Sequence, residues 1–164
     1  MKYLLPILFL CLGTGCKYSF RGISIPPGVK SFYVNFIENE ADNVEATMRQ
    51  DFTNNLQLRI RTESPLNEVD TDPDVEFKGR ITQYRVSSEA PSTDEEVAFN
   101  RISMSVAMEY LNNVNPEEEA KKKTFSTFRD FETTVNLLDV QDQLITEMNS
   151  ELADLIFQWA FTNW

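Results

Sequence analysis

The chain has 164 residues, with 26 Asp+Glu against 15 Lys+Arg for a formal charge of -11, two Cys, no His and 41% hydrophobic content. That length and apolar share suit one domain with a packed core, and the acidic balance speaks against a nucleic-acid binder, which needs clustered Lys and Arg. The missing imidazole removes Ser-His-Asp and Cys-His nucleophiles, His-liganded zinc and a His general base.

Residues 1–3 carry one positive charge, Lys2, and residues 4–12 (LLPILFLCL) form an apolar run. A membrane-crossing helix needs about 20 residues, so this run reads as a secretory signal rather than a span. Gly13, Thr14 and Gly15 then lead into Cys16. A small residue before Cys at a signal's end resembles the lipobox of bacterial lipoproteins, in which the Cys is acylated and becomes the new N-terminus. Cys16 is the expected acylation site; Cys11, inside the apolar run, is a rival acceptor, and an ordinary cleaved signal that leaves Cys16 as a spare thiol is the alternative. Cleavage of residues 1–15 leaves 149 of the 164 residues and removes Lys2, so the side-chain charge becomes -12. One Cys then remains, and no intrachain disulfide can form. Several acyl chains anchor stably where one binds only marginally. Lys17, rather than Asp, follows the Cys, which makes the outer membrane the expected address.

Residues 17–25 (KYSFRGISI) are rich in aromatic and β-branched residues and read as a strand ended by Pro26-Pro27-Gly28. Residues 30–36 (KSFYVNF) are a second strand, and residues 38–43 a polar turn. Val44, Met48, Phe52, Leu56 and Ile60 recur at four-residue steps, which predicts an amphipathic helix. Pro65 and the cluster Asp70-Thr71-Asp72-Pro73-Asp74 bracket a short strand at 66–69. A calcium loop of the EF-hand type needs Gly at its sixth place and Glu at its twelfth. Val75 and Ile81 stand there instead, so the cluster reads as a hairpin turn and no metal site is expected.

Residues 75–86 form a long strand with Val75, Phe77, Gly79 and Ile81 on one side, followed by a polar loop at 87–96. Ile102, Met104, Val106, Met108 and Tyr110 alternate with Ser103, Ser105, Ala107 and Glu109, the pattern of a strand with one core face. Residues 112–120 make a polar loop, Lys121-Lys122-Lys123 begin the next strand, and residues 124–131 complete it. The last helix takes Asp139 as N-cap and Asp142 in its first turn. Val140, Leu144, Met148, Leu152, Leu155, Ile156 and Trp159 form its apolar stripe, and Phe161 and Trp164 either lock it to the core or present an adhesive end. The fold class is therefore α+β: a two-layer sandwich whose mixed or antiparallel sheet of about four to five strands carries two helices on one face.

Nothing in the chain resembles a Gly-x-Ser-x-Gly elbow, a Ser-x-x-Lys pair or a Gly-rich phosphate loop, and no cofactor is expected. A carboxylate pair is the remaining catalytic option, but most acids fall in turns and on helix faces. A binding or structural role is the better class.

Several segments together resemble the LPS-assembly lipoprotein family (LptE). They are Cys16-x-Tyr18-Ser19-Phe20-Arg21-Gly22, Ile25-Pro26-Pro27-Gly28-Val29-Lys30 and Phe32-Tyr33-Val34. Further along come Phe77-x-Gly79-x-Ile81-x-x-Tyr84, Asn100-Arg101-Ile102, Phe125-Ser126-x-Phe128 and Ala160-Phe161-x-Asn163-Trp164. The resemblance implies a non-catalytic outer-membrane lipoprotein with a sheet-plus-two-helices fold. It implies a β-barrel partner, the LptD-like protein that inserts lipopolysaccharide into the outer leaflet, which the lipoprotein plugs and helps to assemble. Some members of the family also bind lipopolysaccharide.

A domain at -12 repels that polyanion unless positive charge is concentrated locally. Arg80, Arg85, Arg101, Lys121, Lys122 and Lys123 are the candidate contacts, with a solvated or ion-paired role as the alternative. The expectation is a barrel plug and chaperone with lipid contact secondary. A lipid-anchored pilot protein for another outer-membrane channel is the rival.

Overall fold

Period-two alternation sets the central strand: Ile102, Met104, Val106, Met108 and Tyr110 are buried while the residues between them are half-buried. The computed structural model describes residues 22–42, 46–89 and 98–162. Within them run β1 (Ser31–Val34), β2 (Glu38–Asn39), α1 (Ala46–Glu63), β3 (Asn67–Glu68), β4 (Val75–Glu89), β5 (Phe99–Asn112), β6 (Lys121–Glu132) and α2 (Leu137–Phe161). The six strands form one mixed sheet in the order β3-β1-β4-β5-β6, with β2 also paired to β4. β4, β5 and β6 are an antiparallel meander, whereas β1 lies parallel between β3 and β4.

Both helices cover one face, α1 against β1 and α2 against β5 and β6, and they touch each other. The α+β sandwich is as the sequence predicts, with six strands rather than four to five. Met48, Phe52, Leu56 and Ile60 of the predicted stripe are all buried. Val44 lies outside the described residues. Gly79 is where the core closes most tightly: a Cβ there meets the side chain of Met108 and lies 2.7 Å from Ile37 Cδ1. Gly28 takes φ +91 in the turn after Pro27, a left-handed conformation that suits a residue without a Cβ.

Several expectations change. Residues 17–21 lie outside the described residues, and Ile23 to Ile25 do not extend a strand. Instead Ser24 N donates to Phe161 O at 2.6 Å, satisfying a carbonyl that the end of α2 leaves open. The polar turn at 38–43 contains β2, because Glu38 and Asn39 pair in parallel with Arg80 and Ile81. The acidic cluster is not a hairpin turn: β1 separates β3 from β4, so residues 70–74 are a crossover. Asp74 there accepts from Lys30 N at 2.8 Å and from Ser31 N and Oγ, both at 2.9 Å. Among the described residues no group of three acids could hold a metal ion.

β4 runs on to Glu89, past the loop predicted from 87, and a bulge between Ile81 and Gln83 restarts its alternation. The N-cap of α2 is Asn136, not Asp139: its Oδ1 accepts from Leu138 N at 3.1 Å. That leaves Asp139 as the acid of the first turn, one turn ahead of Asp142. The buried face of α2 is wider than the predicted stripe and includes Ile145, Asn149, Ala153, Phe157 and Ala160, because α2 touches both the sheet and α1. Leu155 faces out, and Phe161 locks the helix end into the core. Trp164 lies outside the described residues.

Candidate functional site

Residues paired across an antiparallel sheet share a face, so register sorts the six candidate basic residues. Arg80 stands opposite Ala107 and then Thr124, Arg85 opposite Ser103 and Phe128, Arg101 opposite Asp130, and Lys122 opposite Glu109. These four share the outer face of the sheet, away from the helices. Lys121 and Lys123 pair with Tyr110 and Met108 and therefore stand on the helix-bearing side, at the rim. Arg80 and Arg101 are separated by six register steps, roughly 20 Å at the usual strand rise. The six residues do not form one patch.

Most of their charge is also answered locally. Arg80 Nε lies 3.1 Å from Glu40 Oε2, Lys121 Nζ 3.5 Å from Glu118 Oε1 and Lys122 Nζ 3.2 Å from Glu109 Oε1. Arg101 grips Asp130 through two hydrogen bonds of 2.7 and 2.8 Å and stacks 4.0 Å above the exposed Phe128 ring. Their hydrogen bond raises the Arg101 pKa and lowers that of Asp130. Lys123 lies over the Phe125 ring, and neither it nor Arg85 has a carboxylate partner among the described residues. A shallow trough crosses the outer face over the small side chains of Ala107 and Thr124, flanked by Tyr33, Arg80 and Lys122. Cys16 lies outside the described residues.

The sequence reading missed a polar clasp on the other face. Arg129 occupies a core-phase position of β6, its Nη1 2.8 Å from Glu151 Oε2 and its Nε 3.2 Å from Glu147 Oε2. Thr127 Oγ1 donates to the same Glu151 oxygen at 2.8 Å. An Arg in phase with Phe125 and Phe131, facing two Glu four residues apart, was the available signal. The hydrogen bond from Thr127, then Arg129, lowers the Glu151 pKa, while Gln143 and then Arg129 lower that of Glu147. The Asp74 carboxyl is lowered by the Lys30 and Ser31 donors.

These shifts fix the sign of the acid response. A carboxylate bound more tightly as an anion in the fold contributes stability above its ordinary pKa, and that contribution is lost as protons are forced onto the folded form. We expect the melting temperature to fall progressively as pH drops below the ordinary values of 4.5 for Glu and 3.8 for Asp. A melting temperature unchanged from pH 6 to 3 would contradict this.

Tyr110 is buried at 1% exposure, and its hydroxyl has no hydrogen-bond partner among the described residues. Burial, with Glu118 adding to it, pushes its pKa up to about 12. The unfolded phenol ionises near 10 and the folded one resists, so this group costs stability as pH rises from 10 towards 12. Tyr110→Phe removes a desolvated hydroxyl without leaving a cavity, so the expected change is neutral or stabilising by up to about 1 kcal/mol. Denaturant midpoints at pH 7 and 11 measure it, with the larger gain at pH 11.

The paired sheet and the helices that cover one of its faces define a domain of the α+β sandwich class. The chain belongs to the LptE family, described as lipopolysaccharide-assembly, whose profile matches residues 29–158. No curated protein sequence matches the chain. Solved structures similar in fold include a minor lipoprotein from Acinetobacter baumannii, with TM-score 0.52 and 12% identity over 79% of this chain and 90% of that one. A hypothetical protein from Chlamydia trachomatis has TM-score 0.53 and 7% identity over 80% of this chain and 98% of that one. At such identities the likeness is one of fold alone.

Proposed function

We propose that this chain is a non-catalytic lipoprotein of the outer membrane that plugs an LptD-like β-barrel and assists its assembly for lipopolysaccharide insertion. The family match over residues 29–158 carries this reading. Residues 1–15 serve as the signal and residues 16–164 as one domain acylated at Cys16.

Arg80, Arg85, Arg101, Lys121, Lys122 and Lys123 contact the barrel or the lipid only locally, since four of them already hold carboxylate partners. Lipid contact is accordingly the lesser role, and the lumen of the barrel the main surface engaged. Affinity purification of a tagged chain from solubilised membranes tests the proposal. The expected companion is the lipopolysaccharide-inserting barrel, and recovery of a secretin in its place would sink the reading. A charge-reversed Arg80, Arg85 and Arg101 variant that folds and recovers the barrel yet loses lipopolysaccharide binding would overturn the ranking of the two roles.

A further inference from the structure

α2 carries five carboxylates, Asp139, Asp142, Glu147, Glu151 and Asp154, and no Lys or Arg. Arg129 answers Glu147 and Glu151 from β6, and Arg59 of α1 answers Asp154 with its Nε 2.8 Å from Oδ1. Nothing basic reaches Asp142 among the described residues. The two helices run in parallel, and between them lies an open groove whose walls carry Asp142 from α2 and Asp51 from α1. Asp51 likewise has no cationic partner among the described residues.

The groove is not simply a solvated acidic surface. Its lining includes Asn149, which is 1% exposed and whose Oδ1 has no hydrogen-bond donor among the described residues. Buried acceptors are nearly always paired, and an unpaired one asks what supplies the donor. Two donors of the same lining are engaged with helix carbonyls: Asn55 Nδ2 donates to Asp51 O, and Thr146 Oγ1 to Asp142 O. Leu58, half exposed, and the buried Ile145 add an apolar strip to the same lining.

Two unanswered carboxylates, a buried acceptor and an apolar strip together match one kind of side chain. An arginine can lay its aliphatic stem on the strip and spread its five N–H donors over several acceptors at once, which a lysine ammonium does less well. We propose that the α1–α2 groove is a docking site for an arginine presented by a partner polypeptide. The groove lies on the helix layer, opposite the outer sheet face, and the proposal does not depend on which protein the partner is.

The test uses the full chain in detergent and a fluorescent acetyl-Leu-Arg-Leu-Arg-Leu amide, with the citrulline version as an isosteric neutral control. Expected are at least tenfold tighter binding of the arginine peptide and a peptide-induced shift of the Asn149 side-chain amide resonances. Asp51→Asn with Asp142→Asn should weaken binding tenfold or more. Asp70→Asn with Asp72→Asn, which removes the same charge from an exposed crossover, should change it less than twofold. Thermal melts matching the parent confirm that both pairs fold. Equal loss in the two pairs means only long-range attraction to an acidic protein and overturns the proposal. So does spermine competing more tightly than the peptide, which would make the groove a small-polyamine site.

Discussion

Phe77→Ala should lower the unfolding free energy by about 3–5 kcal/mol, the range for removing a fully buried ring. Phe77 has no solvent exposure, and its ring meets Tyr110 edge-on at 5.3 Å and Phe161 at 5.9 Å. Its strand is paired on both sides, to Val34 of β1 and to Tyr110 of β5, so the backbone cannot close in on the void. The change also loosens the contact that holds the end of α2. Denaturant unfolding measures it, with the midpoint reduced and the slope preserved. Leu138→Ala, at a position 77% exposed, is the matched control and should stay within about 0.5 kcal/mol. A Phe77→Ala loss below about 1.5 kcal/mol would mean that the aromatic cluster repacks.

Cys16→Ala should move the protein from the membrane fraction to the soluble fraction. Under the proposed function the acyl chains on that sulfur are the attachment, and each buried CH₂ contributes about 0.8 kcal/mol. Fractionation of cells carrying either form reads the outcome, with mass spectrometry of the parent protein showing the acylated N-terminus. Persistence of the variant in membranes, in cells that lack the barrel, would defeat the anchor assignment. The barrel-free background matters because a bound partner could itself hold the variant in place.

The elements with strong periodicity were legible in the sequence. β5 and the four buried apolar residues of α1 follow the expected phases, since a strand or helix with one wet face writes its period directly into residue type. What was not legible was fixed by distant partners. Glu38 and Asn39 look like a turn and become β2 only because Arg80 and Ile81 offer a free edge. Asp139 has the right chemistry for a cap, yet Asn136 takes the role three residues earlier, where the chain leaves the Glu132 turn. The basic residues were visible as types, but their division between two faces depends on the register of β6. The clasp at Arg129 and the orphaned Asn149 depend on which helix face meets which strand.

The bond between Ser24 and Phe161 has a mechanical consequence. It brings the described chain's entrance and exit to one pole, beside the turn at Gly28 and the loop between β5 and β6. A protein tethered through Cys16 would thus hang from that pole, and load on the tether would pass first into the seam between residue 24 and the end of α2. From there β4 runs fifteen residues to Glu89, roughly 45 Å at the ordinary strand rise. That reach exceeds the roughly 30 Å hydrocarbon core of a bilayer. Arg85 and Arg101 therefore sit at the far tip of a stiff arm, while Lys121, Lys122 and Lys123 stay near its pivot.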